Sequence, residues 1–473
     1  MFRICTIVAL SVALLTVALP VPARAQAAVA GAWNGTIHVM GQNLEIQVNL
    51  TSAEGWKGNI SIPVQGAMNL ALTNIKVDGT SLHFELPTGG AVAIFDGTLS
   101  GDAITGTFDQ GGVKGTFDLK RGEKAAPAPA VSEPPPPYRQ EEVSITNGVV
   151  KLAGTLTLPA GAGPHPVVIL ITGSGAQDRD ETIVGFKIFR VIADHLTRQG
   201  LAVLRCDDRG VGGSTGSVSD ATSEDFAGDV LADITFLKTR PDIDAKRIGL
   251  LGHSEGGLIA PMVASRSNDV AFIVLLSGPA LTGEKIMVLQ GERLMKAGGA
   301  TAELLARQAH SQQRLFDVAR GKATVEEVKR EFSAQAEAQA ASMPEEARKN
   351  LMTMAASQLD AQIKSVQSRW FRFFLDYDPA PALAKVKCPV LALFGELDLQ
   401  VPTDANKPVM DQIFAKSGNR NATTRVFAKA NHLYQEAKTG TATEYATLKK
   451  EFVPDLLPAI TTWIKQQAGK GSD

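Results

Sequence analysis

The sequence is poor in cysteine, with three in 473 residues, too few for a disulfide framework. It has no excess of either charge: 47 Lys and Arg stand against 49 Asp and Glu, for a formal charge of −2. That balance excludes the basic field that a nucleic-acid binder turns towards phosphates. No paired-cysteine, H-E-x-x-H or calcium-loop spacing occurs, so no metal is expected, and no glycine-rich nucleotide fingerprint suggests a cofactor. After residue 25 no run of about 20 apolar residues remains, so the mature chain is expected to lack a transmembrane segment. With 44% hydrophobic and 20% charged residues, disorder is excluded as the main theme, and the length calls for two or three folding units.

What is present begins with a leader. In residues 1–25, Arg3 supplies a positive charge, Ile4 to Leu19 is almost wholly apolar, and Ala23-Arg24-Ala25 gives a small-x-small ending. This reads as a signal peptide, with an apolar run of about 16 residues that is too short to span a bilayer. The expectation is export, to the periplasm or beyond the cell.

Residues 26–122 alternate apolar and polar side chains in short stretches such as NLEIQVNLT and SLHFELP, separated by Gly, Asn and Asp. That period predicts a small all-β domain, a barrel or sandwich of roughly eight strands. Gly35-Thr36, Gly97-Thr98, Gly106-Thr107 and Gly115-Thr116 form a weak repeat, read as strand openings with glycine at turns and bulges. Trp33 and Trp56 suit either a glycan or cell-wall platform or plain packing. Residues 123–139 are a proline-rich linker, extended and semi-rigid. From 140 to 473 a hairpin is followed by apolar runs, VVILIT, LAVLRC, RIGLLG, AFIVLLS, VLALFG and TRVFA, alternating with helical periods. This is an α/β pattern with a mostly parallel sheet buried on both faces. The interval 279–387 is too long for a loop and carries helix starts at Thr324 and Pro344, so it is expected to be a helical cap.

Chemistry concentrates in this last region. Gly252-His253-Ser254-Glu255-Gly256 matches G-x-S-x-G between a strand and a helix, the turn that exposes a strained serine nucleophile. Gly212-Gly213-Ser214-Thr215-Gly216 matches the same pattern without a preceding strand and is read as a loop hydroxyl. A serine needs a base. Of the seven histidines only His432 follows the late strands, whereas His253 is read as packed in the turn. Asp398, at a strand's carboxyl end, is the expected acid, ahead of Glu396, Asp376 and Asp378. The oxyanion donors are expected to be the backbone N–H of Glu255 and that of Ser174, with Gly175 second. Asp178-Arg179-Asp180-Glu181 and Asp207-Asp208-Arg209 read as ion-paired loops, and Trp370 with Phe374 as a substrate-pocket wall or as cap packing. Cys206 and Cys388 are expected to be free thiols.

Together GHSEGG, GELDLQVP, ANH, DDRGVGGSTG and GSGAQDRDE resemble the α/β-hydrolase superfamily, and within it bacterial serine carboxylesterase-like proteins with a GSGxQDRDE loop. The resemblance spans Glu141 to Gln467. It implies a serine esterase acting on a small-molecule acyl ester through an acyl-enzyme, with the cap between the sixth and seventh strands, and the absent nucleotide and metal motifs make it cofactor-free. An aminopeptidase, thioesterase or acyltransferase uses the same machinery. From another class, an exported binding protein with an inactive hydrolase domain is the alternative.

Overall fold

A computed structural model describes residues 29–39, 42–52, 55–62, 67–88, 91–110, 113–122 and 136–469. The expected signal segment, 1–25, and most of the linker, 123–135, lie outside the described residues. Described residues up to Gly122 fall into one compact unit and those from Pro136 onward into a second.

The first unit is one antiparallel sheet of nine strands: β1 (Gly31–Val39), β2 (Gln42–Thr51), β3 (Lys57–Ile62), β4 (Ala67–Ala71), β5 (Thr73–Asp78), β6 (Ser81–Thr88), β7 (Ala91–Ser100), β8 (Ala103–Gln110) and β9 (Val113–Arg121). Their order is β4-β3-β2-β1-β9-β8-β7-β6-β5, so consecutive strands β4 and β5 sit at the two ends. The Leu72 N–H between them donates to Gly58 O at 2.9 Å, and the sheet curls until its ends meet around Phe84, Phe95 and Phe117. Leu72 separates β4 from β5, and the count is nine where about eight were expected. The glycine repeat has a different role from the turns and bulges expected of it. A Cβ at Gly35 would lie 1.8 Å from Asp118 O, and one at Gly106 2.0 Å from Asp96 O. These glycines stand inside strands, where the curled sheet brings a neighbouring backbone too close for any side chain. Trp33 is 1% exposed and donates to Val29 O at 2.9 Å, so its face is closed to a glycan; Trp56 is half-buried against the same core.

The second unit is built on eight strands. The hairpin β10 (Arg139–Asn147) and β11 (Val150–Leu158) is antiparallel, and β12 (His165–Ile171) follows. After a two-residue hairpin, β13 (Thr182–Ile183) and β14 (Phe186–Lys187), come β15 (Ala202–Cys206), β16 (Ile243–His253), β17 (Phe272–Leu276), β18 (Val390–Gly395) and β19 (Ala422–Phe427). The order β10-β11-β15-β12-β16-β17-β18-β19 is parallel from β15 onward. Alternate residues feed two cores: Val167, Ile169 and Ile171 enter one with Leu250, and Val168 and Leu170 enter the other with Val203 and Leu251. Helices α1 (Ile188–Arg198), α2 (Ser223–Lys238) and α3 (Gly256–Ala264) connect the strands. The chain therefore has an α/β-hydrolase sheet, mostly parallel, preceded by a small all-β domain.

Between β17 and β18 the chain forms the helices α4 (Gly283–Ala297), α5 (Ala302–Ala319), α6 (Val325–Ala340), α7 (Glu345–Val366), α8 (Arg369–Asp376) and α9 (Ala380–Lys385). Thr324 caps α6 in a reciprocal pair with Glu327, and Pro344 precedes α7. These helices close their own core around Phe316, Val328, Leu359 and Phe371. Then α10 (Thr403–Ser417) and α11 (Leu456–Ala468) complete the unit. Cys206 and Cys388 are free. Their strands are separated by four spacings of about 4.8 Å, beyond the reach of a disulfide. No helix among the described residues is long and apolar enough to cross a membrane.

Candidate active site

Four loops meet at the carboxyl ends of the parallel strands. Ser254 follows the last residue of β16 with φ of 54°, a left-handed conformation that a residue with a side chain rarely adopts. The turn is held by the Ser254 N–H, which donates to Leu276 O at 2.8 Å, and by the Gly257 N–H, which donates to Ser254 O at 2.9 Å. It is tight because its glycines lack side chains: a Cβ at Gly252 would strike Gly256 O at 2.0 Å, and one at Gly256 would strike Ile171 O at 2.1 Å. The result is a half-buried hydroxyl at the head of α3. Among the described residues its Oγ has no hydrogen-bond partner. Ser214, the other match to the pattern, accepts from Ala153 N at 2.8 Å and donates to Asp207 O at 2.8 Å, a loop hydroxyl.

Asp398 and His432 are brought together from loops after β18 and β19. His432 Nδ1 lies 2.9 Å from Asp398 Oδ2, with both side chains at most 4% exposed. The second carboxylate oxygen accepts from the Gln400 and Val401 N–H groups, each at 2.9 Å. Burial alone pushes the Asp398 carboxyl up, but the His432 ring and these donors outweigh it and hold the group below its ordinary value. The pair thus fixes the ring with Nδ1 protonated and Nε2 available. The rival acids lie elsewhere in the fold: Glu396 accepts from Lys429 N at 2.8 Å, Asp376 pairs with Arg320, and Asp378 accepts from Ala380 N. The histidine loop is stiffened by Asn431 Oδ1, which accepts from Leu433 N and Gln435 N, and by Tyr434, whose hydroxyl donates to Leu393 O at 2.6 Å.

The Glu255 and Ser174 N–H groups have no acceptor among the described residues, whereas the Gly173 N–H is spent on Glu181 Oε1 at 2.7 Å. A Cβ at Gly173 would sit 3.2 Å from Ser254 Cβ, so the loop after β12 lies directly against the elbow. Two free donors beside a half-buried hydroxyl are what a developing oxyanion requires. The charged loops are knotted internally. Arg179 grips Asp207 with two nitrogens, at 3.1 and 2.8 Å, and Arg209 grips Asp229 at 2.6 and 2.8 Å; Arg205 pairs with Asp180.

Trp370 and Phe374 stack with centroids 5.0 Å apart, and the Trp370 indole N–H donates to Glu255 Oε1 at 2.8 Å. Ser223 Oγ donates to the same oxygen at 2.5 Å. These aromatics join the cap to the elbow. Two residues that carry the site, Glu181 and the ring of His253, have a role the sequence did not single out; their signal was the adjacency of DRDE and GHS to the predicted loops.

A family model for the α/β-hydrolase fold matches residues 166–439. The chain is similar to esterase EstD of Thermotoga maritima, 27% identical over 331 residues, 70% of this chain and 68% of the relative. Among solved structures it is similar to an esterase of Pyrococcus furiosus, with 17% identity, a TM-score of 0.43 and coverage of 70% and 92% of the two chains. A proline iminopeptidase of Mycobacterium smegmatis aligns with 17% identity, a TM-score of 0.41 and coverage of 70% and 100%. The family match covers more than half of the sequence, and the chain belongs to the α/β-hydrolase family.

Proposed function

We propose that the protein hydrolyses small-molecule carboxylic esters by way of an acyl-enzyme. Ser254 Oγ attacks the ester carbonyl while His432 Nε2 takes its proton, and the Glu255 and Ser174 N–H groups receive the negative charge that grows on the carbonyl oxygen. His432 then returns the proton to the leaving alcohol and next draws one from water, which releases the acid. Asp398 holds the ring and stabilises the imidazolium throughout. The observation that carries this reading is the buried Asp398–His432 pair at 2.9 Å beside a serine in a left-handed elbow. The similarity to an esterase agrees with it. The leader read in residues 1–25 supports export of the enzyme.

Ser254→Ala is expected to lower kcat on p-nitrophenyl butyrate by about 10⁴-fold or more. A fluorophosphonate probe should label the native protein and not the variant. Turnover by the variant within tenfold of native sinks the reading, and an absence of labelling favours the inactive binding protein. A panel of esters, thioesters and aminoacyl amides separates ester hydrolysis from the thioesterase, aminopeptidase and acyltransferase alternatives.

A further inference from the structure

Beside the Asp398–His432 pair lies a second buried carboxylate and imidazole that the reaction above does not use. Glu181 is fully buried and the His253 side chain 2% exposed. Glu181 Oε1 accepts from the Gly173 N–H at 2.7 Å and faces His253 Nδ1 at 2.9 Å. On its other side the His253 ring presents Nε2 to His432 O at 3.0 Å. One carboxylate and one ring thereby touch the oxyanion loop after β12, the elbow after β16 and the histidine loop after β19.

We propose that Glu181 and His253 are a positioning pair that sets the register of the oxyanion loop, the nucleophile elbow and the catalytic histidine. This rests on the serine-hydrolase reading. The protons follow from the partners. A carbonyl only accepts, so Nε2 carries a hydrogen. Glu181 Oε1 takes both the Gly173 N–H and the Nδ1 contact, and this neighbour raises the proton affinity of the His253 ring, which favours Nδ1 as the donor between them. Burial pushes the His253 ring towards its neutral form, but the Glu181 carboxylate overrides this and raises its affinity for the proton. The other titratable groups facing the pair are His432, whose ring centroid is 4.8 Å from that of His253, with Asp398 behind it and Asp208 beyond Glu181.

The surroundings are built to keep Glu181 in place. It holds φ of 47° although it is not glycine, and its own loop is pinned by the Arg205–Asp180 and Arg179–Asp207 pairs. Gly173 is required for the closeness: a Cβ there would lie 3.0 Å from Glu181 Oε1 and 3.2 Å from Ser254 Cβ. A small shift of Glu181 or His253 therefore moves the Ser174 N–H and the His432 ring relative to Ser254, and misplacement of that kind costs rate more than it costs binding.

Three variants divide the contacts. Glu181→Gln keeps the shape and an acceptor but not the charge. His253→Gln keeps a donor towards His432 O, and His253→Asn keeps one towards Glu181. Each is expected to lower kcat on p-nitrophenyl acetate by roughly 10- to 100-fold with KM within about threefold. In Glu181→Gln the His253 ring holds its proton less readily. The positive charge nearest His432 weakens, His432 holds its own proton more readily, and the acid limb of kcat/KM moves to higher pH. Independently of folding of the variants, imidazole ¹⁵N spectra of the native protein should show one ring still protonated at both nitrogens above the ordinary imidazole value of about 6.5, missing from His253→Asn if that variant folds. A native protein whose Ser254 is labelled by fluorophosphonate while folded Glu181→Gln retains kcat within twofold overturns the proposal alone. Failure of Ser254 to label overturns the hydrolase reading instead. If the variants do not fold, a native spectrum with every buried ring singly protonated overturns the pair.

Discussion

Two aspartates at strand ends, Asp398 buried and Asp208 half-buried, show how neighbours, not residue type, decide the state of a carboxyl. Asp398 faces an imidazole and two backbone donors and is held below its ordinary value despite burial. Asp208, after β15, faces the Thr172 hydroxyl at 2.7 Å and the Gln177 N–H at 2.9 Å, with the carboxyls of Glu181 and Glu255 nearby. Burial dominates there, the two acids add to it, and Asp208 is pushed up to about 7 from 3.8. It lines a cavity of about 50 Å³ shared with Glu255 and Asp233, and burial holds both of these above the ordinary carboxyl range as well. The sign for stability follows. Below 3.8 both folded and unfolded chains carry the proton; between 3.8 and about 7 only the folded chain does, so stability falls as pH rises through that window and levels off above it. Asn at 208 has the shape of the acid, keeps one of its two acceptor oxygens and does not titrate. The Tm of Asp208→Asn minus that of the native protein should therefore grow more positive between pH 5 and 8, the shift of about three units setting an upper bound of about 4 kcal/mol. A difference that stays constant across that range would show Asp208 to be ionised throughout.

Helix α8 is the cap element that reaches the elbow, and it does so through one indole N–H. Glu255 carries the backbone N–H proposed for the oxyanion, and its side chain accepts from Trp370 and Ser223, so the same residue meets the cap, the start of α2 and the elbow. Arg369 adds a bond to Asp220 O at 2.7 Å, and α4 begins against α8, where a Cβ at Gly283 would lie 1.8 Å from Phe374 O. Trp370→Phe keeps the stack on Phe374 and removes the donor to a buried acceptor, a loss of roughly 1–3 kcal/mol if nothing replaces it. The expected outcome is a kcat on p-nitrophenyl butyrate lowered about three- to tenfold, with Tm down by a few degrees. Unchanged kcat with a lowered Tm would reduce the bond to packing. Links of this kind explain what was legible beforehand. Strand ends are local: VLALFG and TRVFA announce themselves, and the acid and histidine that follow them are Asp398 and His432, bonded here. The indole of Trp370 and the carboxylate of Glu255 are 115 residues apart, and Glu181 and His253 are 72 apart; no spacing rule joins them. Glycine misled for a related reason, since Gly35 and Gly106 answer to a backbone on the next strand and not to their own turn.

The molecule divides its work between two units that each bury their own core: Trp33, Phe84, Phe95 and Phe117 in the first, and the two faces of the parallel sheet in the second. Every residue of the candidate site and its support, from Thr172 and Ser174 through Glu181, Ser254 and Glu255 to Asp398 and His432, belongs to the second. Units with separate cores are expected to unfold separately, so calorimetry of the whole protein should show two transitions, and a chain begun at Pro136 should show one of them alone. That shorter chain keeps Tyr138, whose hydroxyl donates to Asp194 at 2.8 Å, and all of β10. Its kcat/KM on p-nitrophenyl acetate should stay within about twofold of the full chain, because a small ester meets only Ser254 and its neighbours. Selectivity supplied by the first unit would instead appear with a large or surface-bound ester, as a difference in KM between the two chains and not in kcat. A tenfold loss on the small ester with the remaining transition unchanged would mean that the β unit contributes directly to the reacting site.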